Sequence, residues 1–209
     1  MSTTNTFGGI VTPKDVEQAV ADTLAARFFT YLKEMERMHG HPINYWPDIA
    51  TFTARSTFGR LPTDVLPGAI VVSPGTVANP RRNGGGTYSA DFHVGVAMVV
   101  EASTEAVARE NAAAYSAAAT LTLLQYPSLG GIASGLQWAG WQNDFEPAAA
   151  NQTLGISCTK FIVSVNDVMN AAGMPSPDGS LPAANNFTDP GTYLTVDDGK
   201  ANVQITKSN

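Results

Sequence analysis

The sequence predicts an α+β fold in which two main helices pack on a mixed or antiparallel sheet. Two segments with helical periodicity are interspersed with segments whose apolar residues recur at every second position. The expected order is α-β-β-α-β-β, followed by a C-terminal arm that contains a hairpin. A chain of 209 residues is long enough to bury such a core without disulfides or metal ions.

The first helix is expected at about residues 13–38, because both of its ends carry clear signals. Thr12 is a good N-cap, Pro13 suits the first helical position, and Asp15 can complete a capping box. Pro42 follows the expected end. A buried stripe at helical spacing is predicted for Val16, Val20, Leu24, Phe28, Leu32 and Met35. The opposite, exposed face is predicted to carry Lys14, Glu17, Asp22, Lys33 and Glu36.

The middle of the chain predicts two strands that form a hairpin with a long tip. Residues 41–67 contain four prolines, and we expect an extended, partly packed connector there. A short buried strand is expected at Ala69–Val72, and a mobile loop at residues 79–87. From Tyr88 to Glu101 the residues alternate between two faces, which predicts a long strand with one face buried.

The second helix is expected to start at Ser103 or Thr104 and to end before Pro127. Its many alanines would allow close approach by a sheet or another helix. We expect one stripe to contain Val107, Ala114, Ala118, Leu121 and Gln125, with Asn111 interrupting it.

Two more strands are expected near residues 136–144 and at Thr153–Val165. Between them we expect a turn at Asp144–Pro147, and after them a short helical turn at Asp167–Ala172. Beyond Gly173 the sequence is rich in proline and small polar residues, which is typical of a linker.

A terminal hairpin is predicted from the strand-like segments Tyr193–Val196 and Val203–Thr206 on either side of an Asp-Gly turn. An isolated hairpin is marginally stable, so we expect it to dock on its own domain or on a neighbouring copy. The chain therefore divides into a flexible lead-in at 1–11, an α/β domain at 12–172, and a linker and arm at 173–209.

Composition favours a subunit of an assembly. Charged residues make up only 14% of the chain, so the surface is easily covered by a neighbour. The net charge of −6 argues against a protein that grips nucleic acid. No apolar run reaches the length of a membrane span. The single cysteine, Cys158, excludes an internal disulfide framework and is expected to be a small buried residue in a strand.

No catalytic constellation is evident, and we predict no catalytic residue, no cofactor and no metal. There is no Gly-x-Ser-x-Gly nucleophile motif. His39, His41 and Asp48 could be ligands of a metal site, but no further residues at ligand spacing support one. His93 is expected on the polar side of the long strand. The glycines at 84–86 precede a strand rather than the helix that a phosphate-binding loop requires.

Six residues are candidates for contacts with other chains: Arg81, Arg82, Trp138, Trp141, Phe145 and Tyr193. The two arginines belong to the predicted loop at 79–87, where a solvated loop tip is the alternative. The three aromatic residues of the 138–145 segment could anchor an interface, form a ligand platform or simply pack in the core. The last residue, Tyr193, lies in the arm.

The layout resembles that of the tail terminator (tail completion) proteins of long-tailed, non-contractile bacteriophages. The likeness covers roughly residues 12–170. It rests on the capped helix from Thr12, the long strand Tyr88–Val100, the alanine-rich helix after Ser103, and the closing strand Thr159–Val165.

The resemblance implies an α/β protein that forms a hexameric ring, uses no cofactor and catalyses nothing. Such a ring caps the head-proximal end of the tail tube, stops its polymerisation, and docks to the head-to-tail stopper in the neck. The implied partners are the major tail tube protein, the stopper and, as a further candidate, the tape measure protein. The resemblance also implies assembly in the host cytoplasm, residence in the virion, and passage of DNA through the pore without specific binding.

Other interpretations remain open at this point. The chain could be another neck or tube component, such as a head-to-tail stopper or a tube protein. A small ligand-binding module that uses the tryptophans is less favoured, and an enzyme is disfavoured by the missing nucleophile–base pair.

Overall fold

The computed structural model describes residues 10–55, 66–73, 77–147, 153–170, 194–197 and 200–203. Its elements are α1 (Pro13–Met38), β1 (Thr51–Ala54), β2 (Gly68–Val72), β3 (Val77–Arg82), β4 (Thr87–Ala102), α2 (Glu105–Gln125), β5 (Gly135–Pro147), β6 (Thr153–Asn170), β7 (Leu194–Asp197) and β8 (Lys200–Val203). The predicted α+β class, with two helices and a mixed sheet, is confirmed.

The main sheet has six strands in the order β1-β2-β4-β6-β5, and β3 also pairs with β4. The β1–β2 pair is parallel, and the other pairs of this sheet are antiparallel. Strand β4 is central, since β6 lies along one edge while β2 and β3 share the other. Strand β5 pairs with β6 and is a terminal strand of the sheet.

The main core contains side chains of both helices and the alternate β4 residues from Ala90 to Val100. In α1 the predicted stripe is confirmed: Val16, Val20, Leu24, Phe28 and Leu32 are at most 1% exposed, and Met35 packs against them. The predicted capping box is also present, with the Thr12 backbone N–H donating to Asp15 Oδ2 over 2.8 Å. Each large apolar side chain buried here contributes roughly 1.5–3 kcal/mol.

Two acidic residues of α1 correct the prediction of an exposed charged face. Glu17 and Glu36 are buried because each accepts hydrogen bonds from the backbone of a segment that crosses the helix. Glu17 accepts from the N–H of Ser73 over 2.7 Å. Glu36 accepts from the N–H groups of Asn44 and Trp46 over 3.2 and 3.0 Å.

The predicted stripe of α2 is confirmed only at its centre, where Ala114 and Ala118 are buried. Val107 and Leu121 are each 43% exposed, and Gln125 is exposed as well. The buried positions include Ala108, Ala112, Tyr115, Ala119 and Leu123. The small side chains along this face let the helix lie close to the sheet, where Ala108 faces Gly155 of β6. The predicted close approach of the alanine-rich helix is thus confirmed.

Four segments differ from the predicted elements. A short strand, β1, lies inside the expected connector at 41–67, and β3 occupies the first half of the expected loop at 79–87. Strand β5 continues through the expected turn at Asp144–Pro147, and β6 continues to Asn170 through the expected helical turn. Irregularities conceal these strands: β3 contains a proline and a register shift, and β6 contains Asp167 with a φ of +53°.

The second face of the sheet is also apolar, so the prediction that only one face of β4 is buried is wrong. A smaller cluster contains Ile70, Val72, Ala97, Val99 and Leu154. Cys158 of β6 packs against this cluster, and burial raises the pKa of its thiol.

The chain enters and leaves the six-stranded body at one corner. Ile10 forms a bridge with Met169, and the N–H of Val11 donates to the carbonyl of Val168 over 2.8 Å. These contacts involve the end of the expected lead-in. The expected linker after Gly173 lies outside the described residues.

The predicted terminal hairpin is present, since β7 and β8 form a separate antiparallel pair. Its strands lie closer to the turn than expected. Tyr193 and residues 204–206 are outside the described part of the chain.

Candidate interaction surface

Trp138 and Trp141 form a half-exposed aromatic pair on the terminal strand β5. Their ring centroids are 5.3 Å apart and their planes are inclined at 62°. They are 43% and 52% exposed, so they are not ordinary core residues. In the register with β6 they lie opposite Phe161 and Thr159, whose side chains are buried. The pair therefore stands on the face of the sheet that also carries the helices.

A bulge in β5 places both tryptophans on this face. Residues three apart in a regular strand point to opposite faces, because side chains alternate with a period of two. Between Trp138 and Gly140 the register shifts by one residue, and Gly140 has a φ of +127°. That backbone conformation strongly favours glycine. The inserted residue restores the same orientation to Trp138 and Trp141.

A buried set of hydroxyl groups supports the Trp141 ring. The indole Nε1–H of Trp141 donates to Thr120 Oγ1 of α2 over 3.1 Å. The Thr120 hydroxyl donates to the Ser116 carbonyl over 2.7 Å, and it lies 3.2 Å from the Thr159 hydroxyl. The hydroxyl of Ser116 donates to that of Ser157. Because its indole N–H already has a hydrogen-bond acceptor in α2, Trp141 presents an oriented apolar ring to any partner that covers it.

Helix α2 also exposes large apolar residues. Leu121 and Leu124 are each 43% exposed, and Tyr126, which directly follows the helix, is 37% exposed. The guanidinium of Arg27 lies 5.2 Å from the centre of the Tyr126 ring, which is within cation–π distance. We call Trp138 and Trp141 the tryptophan surface.

The two candidate arginines lie at the other side of the sheet, in β3. Arg81 is paired, with its Nη2 atom 3.0 Å from Asp91 Oδ2. Asp91 also accepts from Asn79 Nδ2 over 3.0 Å and from Ser164 Oγ over 2.8 Å. The pKa of Asp91 lies below its ordinary value, mainly because of the hydrogen bonds from Asn79 and Ser164 and also because of Arg81. Arg82 is exposed at the end of β3.

The six candidate residues therefore do not form one site. The structure brings Trp138 and Trp141 together, and it places Phe145 in the same strand opposite Gly155. Arg81 and Arg82 belong to β3, which pairs with β4 rather than with β5. Tyr193 lies outside the described residues.

The histidines considered as metal ligands are packed with aromatic rings. The His39 and His41 ring centroids are 6.1 Å apart, and His41 stacks on Tyr45 at 4.0 Å. The Tyr45 hydroxyl donates to Glu110 over 3.1 Å. Across the described residues, no three His, Cys, Asp or Glu side chains come together as metal ligands. Within the same residues, neither helix has the length and apolar character needed to cross a membrane.

Comparison with known proteins found similarity among solved structures. No family model matches the chain, and no curated protein matches it. Among solved structures, the chain is similar to a chain of the "Virion of native gene transfer agent (GTA) particle", with 18% sequence identity and a TM-score of 0.34. The similarity covers 70% of this chain and 97% of that one.

Proposed function

We propose that this protein is a structural subunit of a phage-like particle, and more specifically a ring-forming tail terminator. The observation that carries the proposal is the tryptophan surface, which β5 holds half-exposed at the edge of the sheet. In a protein that stays monomeric, an aromatic pair beside an open strand edge promotes aggregation. In an assembly, the same features can form an interface. A neighbouring chain would cover both.

Composition and layout support the finer part of the proposal. The layout resembles that of tail terminators, and the low charged fraction suits a surface that is covered on several sides. In this role the ring caps the head-proximal end of the tail tube in the neck and contacts the tube protein and the stopper. It acts by shape, transforms no molecule and needs no cofactor.

Electron microscopy of the purified protein tests the proposal directly. We expect single rings that do not stack, because a terminator must bind the tube through one face and must not bind a further ring through the other. Long stacked tubes would identify a tube protein instead. Added to polymerising tail tube subunits, the ring should shorten the tubes and appear at one end only. A protein that stays solitary at high concentration would contradict the proposal.

A ligand-binding module is the second candidate, and the exposure of both indole rings favours it. Aromatic faces of this kind bind flat or apolar small molecules. A small ligand that quenches tryptophan fluorescence at micromolar concentration, and loses its effect in W138A, would favour this function. Quenching that needs only polymerised tube protein would favour the terminator.

A further inference from the structure

A well-anchored turn presents an exposed apolar residue after the end of α1. The N–H of Tyr45 donates to the carbonyl of Pro42 over 3.1 Å, and Ile43 between them is 86% exposed. The buried carboxylate of Glu36 holds this turn against α1 by accepting from the Asn44 N–H over 3.2 Å. A preformed turn loses little conformational entropy when a partner covers it, so Ile43 is well placed to enter an apolar contact.

The same turn contacts the first part of α2, which widens the apolar region. The Tyr45 hydroxyl donates to Glu110 Oε1 over 3.1 Å. Val107 lies one helical turn before Glu110, on the same face of α2, and is half-exposed. We call Ile43, Tyr45 and Val107 the turn surface. Glu110 makes the border of this surface acidic.

A second exposed apolar region lies at the other end of α2, where the helix meets the tryptophan surface. Trp141 donates to Thr120, and Leu124 lies one helical turn beyond Thr120. Helix α2 runs antiparallel to β5, because its hydroxyl contacts advance along β6 with the helix while β5 and β6 are antiparallel. The turn beyond Thr120 therefore lies toward Trp138, and the half-exposed Leu124 extends the apolar region that begins at the tryptophan surface.

The two regions have compatible charges. The sequence from Asn111 to Asn143, which includes the tryptophan surface and the C-terminal part of α2, contains no charged residue. Arg27, whose guanidinium lies over the Tyr126 ring, places a positive charge at the border of this region. The border of the turn surface has the negative charge of Glu110. A contact between the two would bury apolar side chains and leave opposite charges at its rim.

We infer that the turn surface of one copy packs against the tryptophan surface of the next copy, with Ile43 beside Leu124 and Trp138. The two surfaces contact opposite ends of one helix, and the helical rise from Val107 to Leu124 separates them by about 25 Å. A single chain therefore cannot bring them together, and a second copy can. The contact joins two different surfaces head to tail, which is the kind of contact that closes into a ring. The inference rests on the proposed function, since it names the contact that holds the ring together.

Two acidic substitutions in the full-length chain test the contact from both sides. I43D places a charge on the turn surface, and L124E places one beside the tryptophan surface. Light scattering over a range of concentrations should show an assembly for the wild type and single-chain mass for each variant, with self-association at least about tenfold weaker. V77D changes an exposed apolar residue of β3 outside both surfaces, and this matched control should assemble like the wild type.

Mixing the two variants tests the head-to-tail arrangement. I43D keeps an intact tryptophan surface and L124E keeps an intact turn surface, so one contact of the wild-type kind can form between them. We expect a two-chain species at concentrations at which each variant alone stays single, and no ring, because the remaining pair of surfaces carries two acidic substitutions. Unchanged far-ultraviolet circular dichroism should show that both variants fold. W138A, which removes an indole without adding a charge, should weaken assembly in the same direction.

The outcomes separate this inference from the proposed function. If folded I43D and L124E keep the wild-type mass, the inference is overturned while a ring held by other contacts still stands. If both fall to single-chain mass but their mixture stays single, the head-to-tail contact is overturned. An equal loss of assembly in V77D would show a general effect of added charge and would also overturn it. If the wild type is itself a single chain at every concentration, the proposed function fails as well.

Discussion

Asp91 and Glu17 are buried carboxylates whose surroundings shift their pKa values in opposite directions. Asp91 accepts from Asn79 and Ser164 and is paired with Arg81, and these contacts outweigh the cost of burial and lower its pKa. Burial dominates at Glu17, where the Ser73 N–H offsets it only in part, so its pKa is raised. The two residues therefore contribute to stability in opposite ways as pH changes.

Asp91→Asn should destabilise the protein at neutral pH by about 1–3 kcal/mol, because Arg81 and its fellow donors lose a charged acceptor. A lowered folded-state pKa means that the contribution is complete above the ordinary value of 3.8 and is lost as the pH falls through the folded value. Urea unfolding at pH 7 and at about pH 3 should show the deficit of the variant shrinking in acid. Asp22→Asn, on the exposed face of α1, is the matched control and should show little deficit at either pH.

Glu17→Gln should raise stability at neutral pH, by about 1 kcal/mol or less. Because its folded-state pKa is raised above 4.5, Glu17 favours the folded state most in acid, and this contribution is lost as the pH rises through the folded value. The glutamine oxygen can still accept from the Ser73 N–H without carrying a buried charge. Thermal unfolding from about pH 4 to pH 7 should show a smaller decline for the variant than for the wild type. A variant that melts lower at pH 7 would contradict this account.

At the scale of elements, the contact between α2 and β6 depends on Gly155. A Cβ atom at this position would lie 2.8 Å from the carbonyl oxygen of Ala108, which is closer than side chains pack. Gly155→Ala should therefore push the helix from the sheet and cost about 1–3 kcal/mol. Gly135→Ala has open space around the new atom and is the control. Equal melting temperatures for the two variants would show that the helix shifts without cost.

The elements that were predictable from the sequence are those whose local signals agree with their tertiary contacts. Helix α1 has a capping box, a proline at its start and a regular apolar stripe, so its bounds follow from the sequence. Helix α2 has alanine on several faces, and the choice among them depends on the proximity of β6 to Ala108. The ends of β5 and β6 were not predicted, because local irregularities break the alternation on which strand prediction depends. The irregularity in β5 is a bulge, and the irregularity in β6 is the positive φ of Asp167.

The same limit applies to the candidate surface. Trp138 and Trp141 stood out as glycine-flanked aromatics, but their common orientation follows from the bulge at Gly140, which no periodicity reveals. Arg81 was selected for an expected mobile loop, whereas it pairs with Asp91 across a strand register that only the fold establishes. Glycine within a strand is the one sequence signal that could have indicated the bulge.

At the scale of the whole molecule, the net charge of −6 bears on the proposed passage of DNA through a ring of these subunits. A negatively charged ring repels phosphate groups and gains nothing from counterion release, so DNA should pass through it without being held. In a gel mobility assay at about 50 mM salt, the purified protein should not retard duplex DNA. Retardation that disappears at about 200 mM salt would instead reveal a basic surface and contradict the proposed pore.

The contacts of Ile10 and Val11 with the end of β6 have a consequence for any closed ring. Each subunit then has its point of entry and its point of departure at the same vertex, and rotation about the ring axis repeats that vertex along a single rim. Cargo fused directly next to residue 10 or residue 170 would therefore be attached at that rim.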